Sequence, residues 1–84
     1  MLKFVMTRRA KKFVEELDAK QFKQVMSKCL SLMDDARPND SVKMKGDDGY
    51  YRVDIGEFRI IYLFDPQELS VDRIGKRNDD EVYK

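Results

Sequence analysis

The 84-residue chain has no histidine, no tryptophan and one cysteine, Cys29. Without histidine, Ser-His and Cys-His nucleophile pairs are excluded. One cysteine and no histidine also leave too few ligands for a zinc site. A lone cysteine cannot close an internal disulfide, so the expected setting is a reducing cytoplasm. No apolar run approaches the roughly 20 residues that a membrane helix needs. The start, Met1-Leu-Lys-Phe-Val-Met-Thr-Arg-Arg9, turns charged too soon for a signal peptide. Prolines number two and glycines four, and there is no linker, repeat or low-complexity tract. Residues 1–84 are therefore expected to form one domain.

What is present fits a small folded protein. Hydrophobic residues make up 42% and charged residues 39%, a soluble globular balance rather than a disordered one. A domain of this size buries about 60–65% of its unfolded surface, enough for one modest core. The net charge of +1 hides an asymmetry. Residues 1–45 carry eleven Lys/Arg against six Asp/Glu (+5), and residues 46–84 carry six against ten (−4). The basic half includes Arg8, Arg9, Lys11, Lys12, Lys20, Lys23, Lys28, Lys43 and Lys45. A solvated helix surface and a phosphate-attracting one are both consistent with it.

The most readable segment runs from Tyr51 to Phe64. Gly56-Glu57 is a two-residue loop with glycine first, the signature of a type II′ hairpin turn. That turn sets Ile55 against Phe58, Asp54 against Arg59, Val53 against Ile60, Arg52 against Ile61 and Tyr51 against Tyr62. Side chains alternate along a strand, so two faces separate. Tyr51, Val53, Ile55, Phe58, Ile60, Tyr62 and Phe64 make an apolar core face. Arg52, Asp54, Arg59, Ile61 and Leu63 make a mixed face.

Upstream, Leu2 to Met6 predicts a first strand, and Thr7 is a plausible N-cap. Ala10, Phe13, Val14 and Leu17 follow amphipathic helical spacing. A break at Asp18 or Ala19 precedes a longer stripe of Phe22, Val25, Met26, Cys29 and Met33. That helix ends before Pro38. Phe13, Phe22, Met26 and Met33 are expected in the core rather than at a cofactor, and Cys29 as a buried, inert thiol. Residues 36–49 predict a polar loop. A turn at Asp65-Pro-Gln-Glu68 leads to a strand from Leu69 to Ile74, ended by Gly75. The order is β-α-α-β-β-β: an α+β domain with a helix hairpin on one face of a small antiparallel sheet.

Arg52 and Arg59 project from the face away from the helices, Arg77 follows the last strand, and Tyr83 is penultimate. Arginines grip phosphate oxygens bidentately, and an aromatic ring stacks on a splayed RNA base. A phenol flanked by arginines is also a proton-transfer group. Asp54 lies opposite Arg59, so the two equally read as a cross-strand ion pair of about 0.2–1 kcal/mol.

The ordered set Lys43-Met-Lys-Gly46, Tyr51-Arg-Val53, Phe58-Arg-Ile-Ile-Tyr62, Ile74-Gly-Lys-Arg77 and Glu81-Val-Tyr83 resembles the RelE/ParE toxin superfamily. The likeness is greater to its RelE branch and covers essentially the whole chain. It implies a type II toxin–antitoxin toxin that cuts messenger RNA in the ribosomal A site, without metal or cofactor. The messenger's own 2′-OH attacks the scissile phosphate. By motif, Arg59 takes the transition-state role, Arg77 that of the second catalytic arginine, and Tyr83 that of the stacking tyrosine. Arg52, Lys43, Lys45 and Lys76 become RNA-binding cations. Asp54 stands where the RelE type member carries a lysine, as a base or as an ion-pair partner. The implied partners are a cognate antitoxin, the ribosome and mRNA, with no membrane. Two other functions suit the same fold: a ParE-like inhibitor of DNA gyrase and an inactive antitoxin-binding domain.

Overall fold

Thr7 ends one element and starts the next. Its extended backbone leaves the side-chain oxygen free to accept from the amide of Ala10, which caps the first helix. The same hydroxyl donates to the carbonyl of Asp72 at 2.6 Å, pinning the helix start to the last strand. Asp18 repeats the capping device, accepting from the amide of Gln21 at 2.7 Å. The break expected at Asp18 or Ala19 is therefore a second N-cap, Asp18, with Ala19 the first residue of the next helix.

The computed structural model describes residues 1–46 and 49–78. Its elements are β1 (Lys3–Met6), α1 (Arg8–Glu15), α2 (Ala19–Ser31), β2 (Val42–Lys43), β3 (Tyr50–Ile55), β4 (Phe58–Phe64) and β5 (Glu68–Lys76). The sheet order is β1-β5-β4-β3-β2. This is the expected α+β domain, with two differences in the sheet. β1 runs parallel to β5, so the sheet is mixed. Parallel neighbours need a crossover rather than a turn, and the helix hairpin supplies it. The second difference is β2, inside the expected polar loop. Two residues are too few to show alternation, yet Val42 and Lys43 pair with Arg52 and Tyr51.

The hairpin has the register read from its turn, from Ile55–Phe58 through Tyr51–Tyr62. Gly56 has φ 57°, and no non-glycine residue among those described has positive φ, as a type II′ turn requires. At the next turn the Asp65 carboxylate accepts from the amides of Gln67 and Glu68, both at 2.8 Å. Beyond it β5 continues to Lys76, so Gly75 lies within the strand, opposite Arg59, instead of ending it.

The helix hairpin buries one sheet face. Ala10, Val14, Val25, Cys29 and Leu32 meet Val53, Phe58, Ile60, Tyr62, Leu69, Val71 and Ile74. Burying each larger aliphatic or aromatic chain stabilises the fold by about 1.5–3 kcal/mol. Cys29 lies in this core, and burial pushes its thiol up to about 12, consistent with an inert role. Two expectations fail at the margins. Phe22, predicted in the core, is 42% exposed. It stands at the rim of an α2 stripe whose centre is Val25, Cys29 and Leu32. Ile61, on the mixed face, is 0% exposed. It is flanked across the ladders by Arg52 and Arg73, whose long aliphatic stems are suited to covering apolar surface.

Candidate functional site

The ladders place the arginine face in rows. Arg52, Ile61 and Arg73 stand side by side across β3, β4 and β5. Two residues along each strand, and so on the same face, come Asp54, Arg59 and Gly75. Glycine at position 75 puts no side chain beside Arg59 on that flank.

Asp54, at the β3 end of the second row, makes its ion pairs. Its carboxylate accepts from Arg59 Nε at 2.7 Å and from Arg59 Nη2 at 3.1 Å, a bidentate pair. Its Oδ2 also lies 3.3 Å from Arg77 Nε. The amide of Arg77 donates to the carbonyl of Glu57 at 2.9 Å, which fixes the start of the tail against the hairpin turn. Arg59 is buried whereas the Arg77 side chain is half-exposed. The hydrogen bond from Arg59 holds the Asp54 carboxyl below its usual range, against the opposing effect of burial. The positive charges of Arg59, Arg77 and Arg52 add to it. The same bond to Asp54 raises the pKa of Arg59.

The structure thus brings Arg59, Arg77 and Asp54 together, with Arg52 in the neighbouring row. Lys43 and Lys45 sit apart. With Val42, Met44 and Arg52 they line a shallow depression of about 270 Å³ beside the edge strand β2. Lys76 pairs with Phe58 in the ladder, so it belongs to the helix-bearing face, not the arginine face. It and Arg77 both border a depression of about 510 Å³ at the hairpin turn. Tyr83 lies outside the described residues. Among the described residues, no group of three or more acidic, cysteine or histidine side chains is placed to hold a metal.

Arg73 is an arginine of this face that strand alternation does not reveal. Counting by twos from Leu69 and Val71 would put residue 73 in the core. The register slips between Ile61 and Tyr62, which pair with Arg73 and Val71 and leave Asp72 as the extra residue of a bulge. The slip turns Arg73 outward and Ile74 inward. It also frees the Asp72 carbonyl for Thr7 and for Arg9 Nε, the latter at 3.2 Å.

The same fold is found in solved toxins. The isolated E. coli RelE toxin superposes with a TM-score of 0.79 at 22% identity, covering 99% of this chain and 92% of that one. A chain of the intact E. coli RelBE toxin–antitoxin complex gives 0.78 at 19% identity, covering 94% and 100%. The archaeal RelE–RelB complex from Pyrococcus horikoshii OT3 gives 0.79 at 17% identity, covering 92% and 96%. At such identities the likeness carries the fold alone. No curated protein sequence matches the chain. Residues 4–81 match the family described as ParE toxin of type II toxin–antitoxin system, parDE. That match takes in all seven elements but for the first residue of β1, and with it the chain belongs to the ParE toxin family of type II toxin–antitoxin systems.

Proposed function

We propose that this toxin is a metal-independent endoribonuclease that cuts messenger RNA on the ribosome and so inhibits translation. The observation that carries this reading is the Arg59–Asp54–Arg77 cluster. In phosphodiester transesterification the 2′-oxygen loses its proton and attacks phosphorus. The bond to the 5′-oxygen breaks, leaving a 2′,3′-cyclic phosphate and a free 5′-hydroxyl. The pentacoordinate phosphate carries more negative charge than the ground state. A guanidinium aimed at it therefore stabilises the transition state selectively. Arg59 takes that role, Arg77 serves the leaving-group side, and Tyr83 stacks on a base or supports proton transfer. Arg52, Lys43, Lys45 and Lys76 contribute attraction for the RNA backbone. The protein would act in the cytoplasm, held in check by a cognate antitoxin.

The family match itself favours a second reading, inhibition of DNA gyrase without RNA cleavage. One experiment separates them. Expression without the neighbouring reading frame is expected to arrest growth, and co-expression to relieve it. Ribosome-bound messenger is then incubated with wild type, Arg59→Ala, Arg77→Ala and Tyr83→Ala. Each variant is expected to cleave about 10²–10³-fold more slowly. Arrest through DNA damage with translation intact would establish gyrase inhibition instead.

A further inference from the structure

We propose that Asp54 is a positioning residue, whose carboxylate gathers Arg59 and Arg77 into one seat for the non-bridging oxygens of an RNA phosphodiester. The inference rests on the ribonuclease reading and deepens it.

Two guanidinium groups repel each other, and a half-exposed arginine loses rotamer freedom on being fixed. Something must hold Arg77, which leaves the end of β5, beside Arg59. The carboxylate does so: it lies 2.7 Å from Arg59 Nε and 3.3 Å from Arg77 Nε. Its own position is fixed by the ladder, since Asp54 and Arg59 are a cross-strand pair next to the tight turn.

The contact leaves binding capacity. A guanidinium has five N–H donors, and the contact with Arg77 is made at Nε, the root of its fork. Arg52, Arg59 and Arg77 against Asp54 leave a formal charge of +2, so the cluster still attracts an anion. Gly75, opposite Arg59 in the ladder, adds no side chain of its own there.

The same geometry argues against Asp54 as the base. Oδ1 faces Arg59 Nε, and Oδ2 faces both Arg59 Nη2 and Arg77 Nε. A base needs an oxygen within reach of the 2′-hydroxyl proton. Here both oxygens face arginine donors, which hold the carboxylate ionised and make it a poorer proton acceptor.

The test compares wild type with Asp54→Asn, a substitution of nearly equal volume, in the full chain. The Nε–Hε resonances of Arg59 and Arg77 are followed by NMR during titration with inorganic phosphate. A second titration uses an RNA oligonucleotide with 2′-O-methyl riboses, which cannot be cut. In wild type both resonances should shift together with one dissociation constant. In Asp54→Asn the oligonucleotide should bind at least as tightly. Its log–log salt slope should steepen by about 0.7, reflecting one more uncompensated charge. The two resonances should no longer move together, and cleavage of ribosome-bound messenger should fall about 10²-fold. Tighter binding with weakened cleavage is a split that a general loss of structure does not produce. Concerted shifts that persist in Asp54→Asn would overturn the proposal. So would faster cleavage by the variant, which would make Asp54 a competitor for the seat. Unchanged binding with loss of the acidic limb of the pH–rate profile would make it a base and equally end the idea. If wild type cuts no RNA, the ribonuclease reading fails, while the two titrations still decide whether Asp54 gathers the arginines.

Discussion

The hydroxyl of Tyr62, in the middle of β4, donates a 2.7 Å hydrogen bond to the carbonyl oxygen of Ala36, in the loop that leaves α2. Tyr62 is 0% exposed. Its ring lies 6.0 Å from that of Tyr51 and 6.3 Å from that of Phe64, so the aromatic edge of the core and the exit of the helix hairpin meet at one side chain. Tyrosine rather than phenylalanine suits this place because its hydroxyl supplies a donor to that part-buried carbonyl.

Tyr62→Phe should therefore destabilise the domain by about 0.5–1.5 kcal/mol, the net worth of one such hydrogen bond. Urea unfolding should show a lower midpoint with an unchanged slope. An unchanged midpoint would mean that the bond adds nothing net to stability.

Alkaline pH should weaken the fold in a defined window. Burial raises the Tyr62 phenol from 10.0 to about 12 and the Cys29 thiol from 9.0 to about 12. In each case the folded state holds a proton that the unfolded state releases. The contribution is thus fully present below the unfolded value and is lost as pH rises toward the folded one. Stability should be flat up to about pH 8 and fall between about pH 9 and 12, where each tenfold difference in proton affinity between the two states is worth about 1.4 kcal/mol. Tyr62→Phe and Cys29→Ala should each flatten part of that decline in urea midpoints measured across the range.

Three substitutions on neighbouring ladder positions separate the two sheet faces. Ile60→Asp places an unpaired charge in the core and should prevent folding. Ile61→Asp should be nearly as damaging, since Ile61 is also 0% exposed. Arg52→Ala should leave a folded protein. A soluble, cooperative Ile61→Asp variant would contradict the burial of the arginine face around that residue. Circular dichroism and thermal melts provide the readout.

Gly56→Ala should cost about 1–3 kcal/mol, because alanine must adopt the positive φ of 57°. The added Cβ would also stand 2.7 Å from Gln24 Nε2. That side chain can swing away, so the backbone strain should dominate. Adding Gln24→Ala should recover little of the loss. Full recovery in the double variant would show that the clash, and not the turn, was the cause.

How much of this molecule was legible before folding depended on the range of each interaction. The Gly56-Glu57 turn and the alternation around it read out five cross-strand pairs, because a two-residue loop leaves one register. The cap at Thr7, the break at Asp18 or Ala19 and the two helices on either side of it were equally local; that Asp18 caps the second helix came from the structure. Asp54 and Arg59 followed as opposite neighbours, and Arg77 as the residue after the last strand. The face of Arg73 did not follow, since the bulge at Asp72 resets alternation without leaving a mark in the local sequence, and neither did the burial of Ile61, which stands between Arg52 and Arg73 in the sheet.

What the sequence determined by itself was everything set by near neighbours: the two helices, the hairpin register and the separation of an apolar face from an arginine-bearing one. Only the tertiary structure decided that β1 runs parallel beside β5 and that Lys76 falls on the other face from Arg59. It alone brought Arg77 back to the carboxylate of Asp54, 23 positions earlier in the chain. Those outcomes rest on pairings between distant residues, whose closure cost depends on the whole sheet and which no short window of sequence encodes.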